Sequence, residues 1–590
     1  MTVTRTFDLL ERYEKNFDKD EALAVKRLGK WHSWSTREYI DACYEVACGL
    51  LEMGFRKGDK ILTVTNNRPE WNFVDHGMSM CGIIHVPVYA SLGEDEYAYI
   101  VNHAEVNMVL VSDKKLYQKL RLASKGSLAE KHIYTFDEVE GAPNWRTITE
   151  AGKKNRKKRE QELEEIKRSV SEKDFTSLLY TSGTTGDPKG VMLSHENLVR
   201  NFIAAAGIFR LQPEERYLSI LPLCHVGGRM GNYQTQYSGT GIYYAESMGA
   251  FVTAMKEIRA NGFDAVPRVL EKVYDNIMAK GRQLDGIKKK IFLWAVRLGS
   301  RYDAHGRNSW WYNKKLAFAD KMIFSKWREA LGGEVRLVGC GGASLQPDLE
   351  KLFWAAGVKV INMYGLTETS PIVTISNPDH GKFKLGTVGS LIDGVEVKIA
   401  GDGEILCRGH NVMIGYYKDD ALTAQLMDEE GWFHTGDIGH LQESKFLAVT
   451  DRKKEIFKLS NGKFIAPQVI EGKFKQSELI DNMMVVGENK KFASALVLPE
   501  FESLGKWADS RNVVFSSRDE LICMPEVQMH MQNEIGLYNK KVGEHERILR
   551  FRLVSDNWSP ESGELSPTLK LKRKVINEKY RQLIESIYLQ

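Results

Sequence analysis

Short apolar runs and amphipathic stretches alternate along most of this chain. From residue 58, GDKILTVTNN reads as a strand running into a turn, and RPEWNFVDHGMSMCG as a helix. IIHVPVYA predicts a second strand, EDEYAYIVNHAE a second helix and NMVLVSD a third strand. Strand–helix–strand alternation with short links is the pattern of parallel strands covered by helices. EVRLVGC reads as another strand further on. VML, residues 191–193, reads as a strand ahead of the helix HENLVRNFIAAAGIF, with Ser194 as its N-cap. Residues 151–168, AGKKNRKKREQELEEIKR, carry almost no apolar stripe and predict a solvated helix or linker.

The pattern changes near Asp451. EIFKLS and KFIA read as short strands joined by Asn461-Gly462, a strong hairpin signal. Pro467 suits the first turn of the helix that follows, and NMMVVGENKKFASALVLP reads as a further hairpin. The expectation is an α/β protein with a large N-terminal domain, residues 1–450, of parallel and mixed sheets covered by helices. A small α+β domain, residues 451–590, would follow. No internal repeat is visible at solenoid periods.

Composition narrows the class. A hydrophobic fraction of 43% is ordinary for a soluble protein, and 82 basic against 78 acidic residues leave a net charge of +4. That balance gives no global nucleic-acid signal. The seven cysteines form no CxxC pair, which argues against a disulfide framework or zinc site and favours a reducing compartment. The N-terminus lacks the apolar core of a signal peptide, and no run approaches the ~18 apolar residues of a membrane span. A cytoplasmic location is expected.

The chemistry concentrates in YTSGTTGDPKG, Tyr180 to Gly190. Gly183, Gly186 and Gly190 stand among hydroxyl side chains, and Lys189 lies at the end. Glycines let backbone N–H groups close around a polyphosphate, hydroxyls bond its oxygens and a lysine balances its charge. The spacing is not that of a Walker loop, because Asp187 and Pro188 separate Gly186 from the lysine and a strand follows.

This loop resembles the signature of the adenylate-forming enzymes, and further motifs follow in that family's order. They are Gly341-Gly342-Ala343, YGLTETS from Tyr364 to Ser370, Thr435-Gly436-Asp437, DRKKEIFKLSNGKFIAPQVIE from Asp451 to Glu471, and SPTLKLKRK from Ser566 to Lys574. LPLCH, SGTGIYYAES and AVPRVLEKVYDNI are similar to the long-chain fatty acyl-CoA synthetase branch.

The resemblance implies a ligase that uses ATP, Mg²⁺ and CoA to activate a fatty acid. It implies that Thr181, Ser182, Gly183, Thr184, Thr185 and Lys189 hold the β and γ phosphates. Tyr364 would lie against adenine, Thr367 would bond the α-phosphate and Glu368 would bind Mg²⁺. Asp437 and Arg452 would engage the ribose, and Gly341, Gly342, Ala343 and Gly365 would complete the nucleotide site. Lys570 matches the adenylation lysine, with Lys572 a competing assignment. Lys454 would be the hinge of a mobile C-terminal domain, and Lys458 with the Gly462 hairpin would lie beside the pantetheine arm of CoA in the second step. His225 matches a position lining the acyl channel; a buried structural histidine is the other reading.

Two departures stand out. Leu569 precedes Lys570 where the family often has glycine. Gly227-Gly228 precede Arg229 where long-chain relatives usually carry a bulky residue and a glutamate, so an ion pair and side-chain volume would be lost. Cys224 reads as a small wall residue rather than a nucleophile. From Lys280 to Glu329 there are 13 basic, 4 acidic and 9 aromatic residues. Either the aromatics pack on the main domain while the lysines stay wet, which is the favoured reading, or the segment adsorbs to the anionic inner face of a membrane. Fatty acid and CoA are the expected partners, with no nucleic acid. Two rivals stay open: a fatty acyl-AMP ligase serving a carrier protein, and a non-catalytic ATP- or acyl-binding regulator.

Overall fold

The computed structural model describes residues 2–126, 132–181, 187–245, 247–378, 381, 383–560, 562–566 and 569–589. Contacts divide the chain into two compact units. One holds Met1–Glu271, Ile277–Val397 and Cys407–His434; the other holds Lys272–Asn276, Lys398–Leu406 and Thr435–Gln590.

In the first unit, KILTV and IHVPV form the strands Lys60–Val64 and Ile84–Val88, flanking the Pro69–Met80 helix. Such runs suit strands covered on both faces, and Leu62, Val64, Val86 and Val109 are fully or almost fully buried. Lys60–Val64 pairs in parallel with Ile84–Val88 and with Met108–Val111, and Ile84–Val88 pairs in parallel with Phe175–Thr181. The seven-stranded sheet ends on antiparallel pairs, Phe175–Thr181 with Lys189–Ser194 and Lys189–Ser194 with Gly415–Tyr416. Ser194 caps the helix His195–Phe209 through a capping box, as its sequence implies. A second sheet of nine strands includes Gly262–Ala265, Leu337–Cys340 and Lys359–Gly365, paired in parallel in that order.

The charged run is a helix and not a linker, largely exposed but packed along one face. It lies within the helix Arg146–Ser169, which buries Ile148, Gly152 and Leu163. A Cβ on Gly152 would stand 1.7 Å from the Glu45 carbonyl oxygen, and one on Gly49 would stand 2.0 Å from that of Ile148. The helices Thr36–Glu52 and Arg146–Ser169 therefore touch backbone to backbone. Arg156 and Arg159 then reach across to Asp41 and Glu52 at 2.7 and 2.8 Å. A contact made by glycines carries no large apolar residues, so hydrophobic periodicity does not reveal it.

The second unit is α+β. Phe457–Lys458 and Phe464–Ile465 pair antiparallel, and Gly462 between them takes a φ of +86°. Pro467 opens the helix Pro467–Phe474. Ile480–Val486 and Ser494–Pro499 pair antiparallel, and Arg550–Leu553 adds a parallel strand. Ile465, Ile470, Phe474, Met483 and Val497 fill the core beneath. Among the described residues no helix is long and apolar enough to cross a membrane.

Candidate functional site

Contacts bring together two groups of the residues singled out by sequence, one in each unit. In the first unit, Thr181 ends its strand directly opposite Lys189, which begins the next one. The two residues form the neck of the glycine-rich loop; Ser182, Gly183, Thr184 and Thr185 lie outside the described residues. Lys189 sets its ammonium 5.7 Å from the ring centre of Tyr416. The Tyr416 hydroxyl donates to Glu368 Oε1 at 2.8 Å. Tyr416 is held there because Gly415–Tyr416 pairs with the strand that Lys189 begins. A cation and a carboxylate from distant parts of the sequence thus converge on one aromatic side chain.

Glu368 belongs to the short turn Thr367–Thr369, which follows the strand Lys359–Gly365. The Met413 N–H donates to the Glu368 carbonyl at 2.9 Å, fixing the turn from a second direction. Tyr364 is buried near the strand's end. A Cβ on Gly365 would lie 1.5 Å from the Pro371 carbonyl oxygen, so no larger residue fits. Gly341, Gly342 and Ala343 leave the end of Leu337–Cys340, and Gly342 takes a φ of +83°.

His225 caps the helix Val226–Ser238, its Nδ1 accepting from the Gly227 N–H at 3.0 Å. The neutral ring then carries its proton on Nε2. Arg229 has not lost its ion pair. It is buried against Asp75, with Nη2 2.5 Å from Oδ1. His85 Nδ1 lies 2.6 Å from the same oxygen, and Tyr233 donates to Oδ2. The partner comes from another helix, which no local motif could reveal. A Cβ on Gly228 would stand 2.3 Å from the Pro222 carbonyl, so glycine is what this helix start admits. Burial pushes the Cys224 thiol up to about 12, leaving it protonated and unreactive near neutrality.

In the second unit, Asp437 and Arg452 face each other across the strands Phe433–Gln442 and Phe446–Arg452. Arg452 Nε lies 2.8 Å from Asp437 Oδ1; the carboxylate is buried and the guanidinium half exposed. Next along the chain, Lys453 bridges Asp402 and Glu404 at 2.6 and 2.8 Å. Lys454 is exposed in the turn that follows, and Lys458 is exposed with its ammonium 5.5 Å from the Phe464 ring centre.

Lys570 is held against Ser566. Its carbonyl accepts from the Ser566 N–H at 2.7 Å, and its own N–H donates to Ser566 Oγ at 3.0 Å. Leu569 takes a φ of +61°, the left-handed conformation that glycine adopts freely, although the residue here is leucine. Although Lys570 reaches the surface, desolvation pushes its ammonium below the usual lysine value and Arg452 acts the same way, while Asp437 and Glu455 oppose them. Arg573 fixes the following segment with ion pairs to Glu455 and Glu471 at 2.7 and 2.6 Å.

Tyr416 was not found from sequence, because it lies in a two-residue strand with no periodicity of its own. The Arg573 pairs were missed for a similar reason, since their partners lie more than 100 positions away. The donors suit a magnesium–polyphosphate. Mg²⁺ bound to a nucleotide needs one or two carboxylates and keeps most of its waters. Glu368 offers a carboxylate of which Tyr416 engages one oxygen, and no group of three or more His, Cys, Asp or Glu residues suited to a metal occurs among the described residues.

Residues 10–417 match the family model described as AMP-binding enzyme, and residues 454–590 match that of the AMP-binding enzyme C-terminal domain. The chain is 31% identical to the long-chain-fatty-acid–CoA ligase ACSBG2 of Xenopus laevis, over 96% of this chain and 81% of that protein. It is 30% identical to the long-chain-fatty-acid–CoA ligase FadD15 of Mycobacterium bovis, over 98% of this chain and 96% of that protein. In fold it is similar to the adenylation domain of a carboxylate reductase from Mycobacterium chelonae. The TM-score is 0.76 at 20% identity, over 99% of this chain and 91% of the other.

Proposed function

The chain belongs to the AMP-binding enzyme family, and from that premise we propose that it is a long-chain fatty acid–CoA ligase. The observation that supports this most is the convergence of Lys189 and Glu368 on Tyr416 beside the neck of the glycine-rich loop. The relatives named above are long-chain fatty acid ligases, which supports the choice of acid.

A carboxylate is a poor electrophile, and oxide is not a usable leaving group. In the first half-reaction a carboxylate oxygen of the acid attacks the α-phosphorus of ATP, and pyrophosphate departs. The protein's task is to position two anions and offset the charge that spreads over the phosphates. We assign the β and γ phosphates to Lys189, Thr181 and the hydroxyls and N–H groups between them. Thr367 bonds the α-phosphate, and Tyr364 packs on adenine between Gly365 and Gly341-Gly342-Ala343. Glu368 holds Mg²⁺, which when bound offsets phosphate charge. Asp437 accepts from the ribose hydroxyls, with Arg452 donating beside it. Lys570 directs its ammonium to the α-phosphate and acyl oxygens.

In the second half-reaction the thiol sulfur of CoA attacks the acyl carbon, the thiol proton is lost and AMP leaves. Lys458 and the Gly462 hairpin serve the CoA arm in that step, and Lys454 is the pivot between the two steps. His225 lines the path of the acyl chain.

Carboxylic acids of graded length, supplied with ATP, Mg²⁺ and CoA, test the assignment by mass spectrometry of the products. Long-chain acyl-CoA is expected, with one AMP and one pyrophosphate per thioester. A preference for short or aromatic acids, or acyl transfer to a carrier protein but not to CoA, would contradict it.

A further inference from the structure

The basic aromatic segment divides on folding. Phe292, Phe324 and Trp327 are buried, but Trp310, Trp311 and Phe318 are 60%, 69% and 53% exposed. These exposed rings all stand on the helix Trp310–Ala319, which is tied to the helix Gly286–Gly299 where the Tyr312 hydroxyl donates to the Leu298 carbonyl at 2.8 Å. Trp294 and Phe318 meet edge to face across them, with ring centres 6.1 Å apart. Ile291, Trp294, Trp311 and Phe318 line an open, apolar recess of about 550 Å³ together with Lys290, Lys314 and Lys315. Ile287, 76% exposed, extends the apolar surface along the first helix.

Charge says what this surface fits. The two helices carry Lys288, Lys289, Lys290, Arg297, Lys314 and Lys315, all exposed, and no carboxylate. Exposed apolar area of this kind marks an interaction site, but protein–protein interfaces are poor in lysine. Tryptophan and phenylalanine ringed by lysine are instead the composition that seats at the headgroup boundary of an anionic bilayer. Lys314 already holds its ammonium 5.3 Å from the Trp310 ring centre, so the aromatic and cationic elements present themselves together.

We propose that the exposed rings and lysines of the Gly286–Gly299 and Trp310–Ala319 helices dock this protein on anionic phospholipid membranes. The rings enter the interface and the lysines meet the headgroups. The inference is independent of which acid the enzyme activates.

Sedimentation with vesicles tests it on the full chain, using phosphatidylglycerol mixed with phosphatidylcholine against phosphatidylcholine alone. Binding to the anionic vesicles is expected at about 0.05 M salt, falling at least about tenfold at about 0.5 M as screening shortens the reach of the lysines. The double variant Trp311→Ala/Phe318→Ser, and separately Lys289→Glu/Lys314→Glu, should each weaken binding about tenfold or more. All four residues are exposed, and none is among the proposed catalytic residues. Acid-dependent ATP–pyrophosphate exchange in solution should therefore stay at the wild-type rate and report an intact fold. Equal binding to neutral vesicles, or variants that bind like wild type, would overturn the proposal. So would a soluble dimer that Trp311→Ala/Phe318→Ser dissolves while wild type ignores vesicles, because the patch would then seat a second copy.

Discussion

Tyr416 carries more of the first cluster than its position suggests. Its hydroxyl orients the Glu368 carboxylate while its ring stands under the Lys189 ammonium. Tyr416→Phe keeps the ring and removes the hydroxyl. A hydrogen bond to a charged group contributes about 1.5 kcal/mol or more, so the adenylation rate should fall about tenfold and more Mg²⁺ should be needed for half-maximal exchange. A variant with unchanged rate and Mg²⁺ dependence would remove Tyr416 from the site. A second residue makes stability depend on pH. Asp264 is fully buried, and burial pushes its carboxyl up to about 6, with the Tyr217 hydroxyl acting weakly the other way. The folded protein therefore holds this proton more tightly than the unfolded chain. The stabilisation is complete below the ordinary aspartate value and is lost as pH rises through about 6. Between pH 4 and 8 the loss is about 3 kcal/mol. Denaturant unfolding of wild type minus Asp264→Asn should show that slope, and parallel pH profiles would refute it.

At the scale of elements, most strands and helices named from sequence have the type expected, and the exceptions share a cause. The parallel strands were legible because runs such as KILTV and IHVPV are apolar throughout. The helix His195–Phe209 was legible because Ser194 and Asn197 form its capping box. The packing face of the Arg146–Ser169 helix was missed because it is made by Gly152, with only Ile148 and Leu163 as large apolar contacts. That contact gives a direct prediction. Gly152→Ala must separate two backbones already 1.7 Å from where its Cβ would stand, and overpacking of this kind costs about 2–3 kcal/mol. The melting temperature should drop by several degrees, while Lys153→Ala on the same helix should leave it almost unchanged. Equal melting for both would show that the helices have room to spare. At Leu569 the mismatch runs the other way: the backbone adopts glycine's conformation although the sequence supplies leucine.

At the scale of the whole molecule, family membership was legible because the motifs stand in the family's order along the chain. Their supporting partners were not. Asp75 for Arg229, Tyr416 for Glu368 and Glu471 for Arg573 are each brought in from another element by the fold. The proposed function divides into two half-reactions, and these should separate on mutation. Lys570→Ala should slow adenylation by about a hundredfold or more and leave thiolation of supplied acyl-AMP nearly normal. Lys454→Pro should leave pyrophosphate exchange largely intact and stop thioester formation. Equal loss of both steps in either variant would reject its assigned role. Beneath these lies the formation of a mixed anhydride between the acid and AMP, which isotope exchange between pyrophosphate and ATP reads without CoA or any later step. Exchange that appears only when a fatty acid is added, and that falls with Lys570→Ala, is the expected result. Wild-type protein that binds ATP yet catalyses no exchange with any carboxylic acid would contradict it.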